Sequence, residues 1–210
     1  MITLVIFDLD GTLVNAYPAV CSSVNYTLQC LGFPKRTYAQ VKSAVGLGDR
    51  QLMAQFTGEA MADQALAMYR RHHAKALTTG VRCLSGTRVL LKFLKSKGCR
   101  LAIASNRPTK FTRIILDQMD IRRYFDMVLC GDRVQRPKPH PDMLLQIART
   151  LDVPVSQSLY VGDMGIDVIA GRRAGMRTVA VATGSSTIKE LKGLQPMGIL
   201  TKINQLRRFL

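Results

Sequence analysis

The sequence predicts an α/β fold, a parallel sheet interrupted by an all-helical insertion, and three observations predict it. From residue 86 to about residue 183, short apolar β-branched runs alternate with amphipathic helical patterns, the texture of a parallel sheet covered on both faces. One more run of the strand type, residues 2–7, stands far upstream of the rest. Between the two, residues 16–80 read as helix throughout, with no convincing strand. The expected organisation is a core built from residues 1–15 and 81–210, with a helical cap of residues 16–80 inserted after the first strand.

Each element has its own signal. In "PAVCSSVNYTLQCLGF", Pro18 suits a first helical turn and Gly32 a helix end. Short helices fit 38–45 and 50–57, and a longer one fits 59–77. Residues 86–98 form an amphipathic helix closed by Gly98. Then follow strand 100–105, helix 108–119, strand 127–130, helix 141–151, strand 158–163, helix 165–175 and strand 177–183. The tail from about 187 suggests one or two short helices.

The bulk numbers narrow the class. A chain of 210 residues with 47% apolar residues can bury a sizeable core. The five cysteines form no C-x-x-C pair and fall mostly in apolar segments, which predicts free, buried thiols in a reducing compartment. No apolar run approaches a membrane span, and the start, "MITLVIFD", enters a strand without a basic leader. A cytoplasmic protein with no membrane partner is the expectation. The net charge of +16 is uneven. Residues 1–80 hold 7 Lys and Arg against 5 Asp and Glu, whereas residues 81–210 hold 23 against 9. Such a surface attracts anions, but the basic residues are scattered and no nucleic-acid motif accompanies them.

In open parallel sheets, ligands bind at the carboxyl ends of the strands. Asp8 and Asp10 follow the first strand, Ser105 and Asn106 the second, Lys138 the loop after the third, and Asp163 and Asp167 the fourth. Each piece alone has an ordinary explanation: Asp-Gly is a common turn and Ser-Asn a common helix cap. Their shared edge has none. Several carboxylates make an oxygen-ligand site for a hard cation such as Mg²⁺. A lysine and a hydroxyl beside it suit a phosphate.

The segments "FDLDGTLV", "AIASN", "RPKPHPD" and "YVGDMGID" resemble, in order, the four motifs of the haloacid dehalogenase superfamily. The resemblance runs from Val5 to about Gly184 and implies a Rossmann-like core. It also implies roles. Asp8 would be the nucleophile that forms an aspartyl-phosphate, and Asp10 the general acid and base. Mg²⁺ would be held by Asp8, the Asp10 carbonyl and Asp163, with Asp167 in support. Ser105, Asn106 and Lys138 would hold the phosphoryl oxygens, with Thr12 as a further substrate contact. Because the superfamily's dehalogenases lack an acid at the position of Asp10, its presence points to a phosphate ester.

The helical insertion resembles the cap of the subfamily that includes phosphoglycolate phosphatase and β-phosphoglucomutase. "AVGLG" at 44–48 is similar to the cap's specificity segment, and neighbouring Arg50 would meet a substrate carboxylate or second phosphate. "KPHPD" is similar to the third motif of the phosphoglycolate phosphatases. Asn15-Ala16 stand where that family carries an acid and a hydroxyl, and Ser85 where it carries a proline. No histidine stands near the start of the insertion, as a mutase would need. His72 and His73 are expected on a solvated helix face, and His140 in a loop role.

The implied function is a Mg²⁺-dependent phosphatase acting on a small phosphate monoester, with phosphoglycolate the first substrate to test and a monomer or homodimer as the working unit. The alternatives within the family are a sugar-phosphate or nucleotide phosphatase, a pyrophosphatase or a phosphomutase. The alternative outside it, prompted by the basic charge, is a nucleic-acid-binding or end-processing protein; a cap that closes over the site argues against a polymer.

Overall fold

The structure, a computed structural model, describes all 210 residues. Eight strands form in chain order: β1 (Leu4–Phe7), β2 (Val14–Asn15), β3 (Arg82–Cys83), β4 (Arg100–Ser105), β5 (Met127–Cys130), β6 (Ser158–Gly162), β7 (Arg177–Val181) and β8 (Gly198–Leu200). Six of them build one parallel sheet in the order β5-β4-β1-β6-β7-β8. β1 lies between β4 and β6, with Phe7 opposite Ile103 on one side and Val161 on the other. The carboxyl ends of these three strands are therefore level, and the residues that follow them meet.

β1 is buried along its whole length, which is why it reads as an unbroken apolar run. Its side chains alternate between the two faces. Val5 and Phe7 join one core with α5 (Thr87–Ser96) and α6 (Thr109–Gln118), through residues such as Leu90 and Phe111. Leu4 and Ile6 join another with α7 (Asp142–Thr150) and α8 (Gly165–Arg173), through Met143, Ile147 and Ala170. A last helix, α9 (Ile188–Gly193), packs Leu191 against Val168 and Ala180.

The helical insertion holds α1 (Tyr17–Cys30), α2 (Tyr38–Ala44), α3 (Asp49–Thr57) and α4 (Ala62–Ala76). Pro18 sits in the first turn of α1. Thr37 and Gln40 form a reciprocal capping box at α2. The four helices surround a small core of their own, including Val20, Val24, Leu28, Met53 and Tyr69. The insertion joins the sheet through the two-stranded antiparallel pair of β2 and β3.

The structure departs from expectation in four places. The tail carries a parallel edge strand, β8, and a 3-10 turn over Ile203–Phe209 besides its helix; "GIL" is too short to show a period. The two-residue strands at the neck were likewise below the reach of patterning. All five cysteines are free, but only Cys99 and Cys130 are buried; Cys21 and Cys83 are half-buried and Cys30 is exposed. His73, expected on a solvated face, is fully buried, while His72 is half-buried and stacks on Tyr26 with ring centroids 4.3 Å apart. No helix is long and apolar enough to cross a membrane.

Candidate active site

The loop after β1 is held tightly. The Asp8 N–H donates to the Val161 carbonyl at 2.8 Å, and the Gly11 N–H to the Val14 carbonyl at 2.7 Å. Gly11 adopts φ +81°, where an L side chain is strained, and a Cβ there would lie 2.6 Å from Asp163 Oδ2. Gly184 approaches the same carboxylate so closely that a Cβ would overlap it. The site is thus built from backbone that only small residues permit.

Three carboxylates converge: Asp8, Asp163 and Asp167 are buried, each with an oxygen within 4.8 Å of the others. Lys138 Nζ donates to Asp8 Oδ1 at 2.6 Å, to Asp167 Oδ1 at 2.8 Å and to the Tyr160 hydroxyl at 3.0 Å. That uses all three ammonium hydrogens. The Tyr160 hydroxyl donates to Asp167 Oδ1 at 2.7 Å. Asp167 also caps α8, its Oδ2 accepting from the Met164 N–H at 2.9 Å. Asp163 Oδ1 accepts from Thr12 Oγ1 at 3.0 Å, and its Oδ2 from the Ser185 N–H at 3.1 Å and the Tyr17 hydroxyl at 3.3 Å.

Burial pushes the Asp8 carboxyl up to about 7, with Lys138 pulling the other way. It drives Asp163 well above the ordinary carboxylate range, and the charges of Asp8 and Asp167 add to the effect. Lys138 is raised well above its ordinary value because Asp167 and Asp8 outweigh the desolvation that would lower it. The site holds more buried negative charge than one lysine offsets. Its donors are all oxygens at close range, and a hard divalent cation fits that set.

Asp10 sits apart from this cluster. Its Oδ2 accepts from Arg107 Nε at 2.7 Å, and its Oδ1 is buried without a hydrogen-bond partner. Arg107 Nη1 donates to His73 Nε2 at 2.7 Å. That leaves the His73 proton on Nδ1, which faces Ser23 Oγ at 3.0 Å, and the Ser23 hydroxyl in turn donates to the Ala19 carbonyl at 2.8 Å. Burial, followed by the charge of Arg107, lowers His73 to about 2. It is a neutral acceptor at any ordinary pH.

Of the residues singled out in the sequence, Asp8, Asp10, Ser105, Asn106, Lys138 and Asp167 line one cavity of about 70 Å³, room for several water molecules. Three expected substrate contacts have protein partners in this structure. Arg50 does not line the cavity; it lies exposed, paired with Glu59 and Asp63 at 2.9 Å each. Thr12 is fully buried with its hydroxyl on Asp163, so it positions a carboxylate. The Asn106 side chain spends both its hydrogens on the Gly46 and Lys138 carbonyls, and accepts from the Lys138 N–H at 3.0 Å. It ties the lysine loop to the insertion.

Arg107, Tyr160, Tyr17 and Asp49 are not among the residues the sequence singles out for the site, and His73 is singled out only for a solvated face. Arg107 follows Ser105 by two residues at the same strand end, so the rule that found Ser105 reached it as well. His73 shares the helical spacing of Ala62, Ala65 and Tyr69, the buried face of α4. Tyr17, Tyr160 and Asp49 carried no comparable signal.

A level edge of parallel strands bearing a buried carboxylate cluster, a lysine and a hydroxyl marks the class of an α/β protein with a ligand site at its strand ends, and its donors suit a divalent cation. Residues 5–181 match the family model described as haloacid dehalogenase-like hydrolase, and the chain belongs to that family. A phosphoglycolate phosphatase of Pseudomonas fluorescens is 35% identical over 190 residues, covering 86% of this chain and 70% of the relative. One from Xanthomonas campestris is 34% identical over 183 residues, covering 86% and 83%. Among solved structures, a predicted phosphoglycolate phosphatase from Haemophilus somnus superimposes with a TM-score of 0.92 at 25% identity, over 99% of this chain and 97% of that one.

Proposed function

We propose that the protein is a Mg²⁺-dependent phosphatase that hydrolyses a small phosphate monoester through an aspartyl-phosphate, with phosphoglycolate as the substrate to test first. The observation that carries this reading is the cluster of Asp8, Asp163 and Asp167 around Lys138 at the level strand ends. The names of the curated relatives support the substrate.

When bound among Asp8, the Asp10 carbonyl and Asp163, Mg²⁺ would supply positive charge for the phosphoryl oxygens. Asp8 attacks phosphorus while the ester oxygen leaves with a proton from Asp10. Water then attacks the acyl phosphate, Asp10 takes its proton, and phosphate and the Asp8 carboxylate are released. Ser105 and Lys138 steady the phosphoryl oxygens, and Asp167 holds Lys138 in place. Residues 16–80 act as the cap over a core of residues 1–15 and 81–210, excluding bulk water. The small cavity favours a metabolite over a polymer chain.

The test is phosphate release from a panel of small esters with and without Mg²⁺. Activity should require the cation, and Asp8→Asn should abolish it while leaving the melting transition intact. Turnover retained by that variant would remove the nucleophile assignment.

A further inference from the structure

We propose that Arg107 reads a second anionic group on the substrate, a carboxylate a few bonds from the phosphoryl ester, and thereby sets the preference among small phosphate esters. The proposal rests on the phosphatase reading above and names what that site selects.

Only two cationic side chains line the cavity, Lys138 and Arg107. Lys138 is turned to the nucleophile, with its hydrogens on Asp8, Asp167 and Tyr160, so it serves the transferring phosphoryl group and not the tail. Arg107 stands away from the nucleophile. Its Nε is on Asp10 and its Nη1 on His73, but its Nη2 has no partner and is not among the buried polar atoms lacking one. Arg107 lines the cavity, so its guanidinium keeps a donor that is neither bonded nor fully enclosed. It is also fixed: its side chain is 8% exposed, gripped by Asp10 from the sheet side and by His73 from the insertion. A pre-oriented planar fork loses little freedom on meeting a carboxylate. His73 is neutral and takes nothing from its charge.

The opposite tendency resides in Asp49, a buried carboxylate on the same cavity wall that feels the charge of Arg107 first and that of Arg70, 3.4 Å away, second. It would repel an anionic tail and attract a cationic one. The two residues make opposite predictions about the tail, which makes the proposal decidable. Arg50, the cation expected to read such a tail, is spent on Glu59 and Asp63.

The experiment compares kcat/KM for phosphoglycolate, ethyl phosphate and 2-aminoethyl phosphate, with Mg²⁺, in the wild type, Arg107→Met and Arg107→Lys. These esters share a two-carbon tail and differ in its charge. Wild type should prefer phosphoglycolate to ethyl phosphate by about 10–100-fold, the scale of one charged hydrogen bond. Arg107→Met should bring that ratio close to one, and Arg107→Lys should restore part of it. Arg107→Lys keeps a cation beside Asp10, which separates a disturbed general acid from lost tail recognition, and the binding arm below involves no leaving group. An unchanged ratio in Arg107→Met, or a wild-type preference for 2-aminoethyl phosphate, overturns the proposal. A binding arm separates it from the hydrolytic reading: thermal stabilisation of the Asp8→Asn protein should be greater with phosphoglycolate than with ethyl phosphate, and adding Arg107→Met should erase the difference. If that difference holds while the wild type cuts none of the esters, the hydrolytic reading fails and the anion site stands. If the esters are cut but neither arm depends on Arg107, the reverse is true.

Discussion

Lys138 Nζ lies 2.6 Å from Asp8 Oδ1, and both side chains are almost wholly removed from solvent. The lysine arrives from a loop after β5, the aspartate from the end of β1, and 130 positions of chain separate them. Removing one partner of such a buried pair leaves the other uncompensated, which typically costs about 3–5 kcal/mol.

Lys138→Met is therefore expected to destabilise the fold by about 3 kcal/mol at pH 8, and by less at pH 5, where the stranded Asp8 carboxyl takes a proton. Denaturant unfolding at both pH values measures this. Hydrolysis should fall by about 10²–10³-fold, the usual effect of losing one charge-stabilising donor.

Burial holds Asp8 at about 7 in the cation-free protein, so below that pH the carboxyl carries a proton that a cation must displace. Mg²⁺ affinity should fall as pH drops through 7, and binding at pH 6 should release protons. Calorimetry in two buffers of different ionisation enthalpy reads the release directly. Affinity independent of pH between 6 and 8 would exclude Asp8 as a ligand.

Tyr160→Phe removes a hydroxyl that donates to Asp167 and accepts from Lys138. One buried donor, Lys138, and one buried acceptor, Asp167, each lose a partner, at a cost of about 1–3 kcal/mol. Lys138 remains anchored by its two carboxylates, so kcat should fall by about tenfold rather than vanish. A loss as large as that of Lys138→Met would give the tyrosine a direct part in the chemistry.

His73 is held neutral down to about 2 in the fold, whereas an unfolded histidine protonates near 6.5. The unfolded state therefore binds the extra proton below 6.5, and the His73 contribution to stability is lost as pH falls through that value. Comparing wild type with His73→Gln isolates this proton from the titrating carboxylates. Their stability difference should shift against the wild type by about 2 kcal/mol between pH 7 and pH 5. A difference flat in pH would mean that the unfolded chain does not protonate His73 freely.

The sequence by itself determined the α/β class, the helical insertion and the identity of the residues at the strand ends. These rest on local physics: a doubly buried strand such as β1 must be apolar throughout, an amphipathic helix must repeat its face, and functional groups in a parallel sheet gather where the strands stop. Asp8, Lys138 and Asp167 were legible for that reason. Only the tertiary structure decided what each side chain touches. Arg50 and Arg107 look alike in sequence, yet one is spent on surface carboxylates and the other is clamped between Asp10 and His73. The side chains of Thr12 and Asn106, both expected at the substrate, hold Asp163 and the Lys138 loop. Hydrogen bonds between residues a hundred positions apart depend on how the sheet and the insertion pack against each other. No local period or spacing encodes that packing.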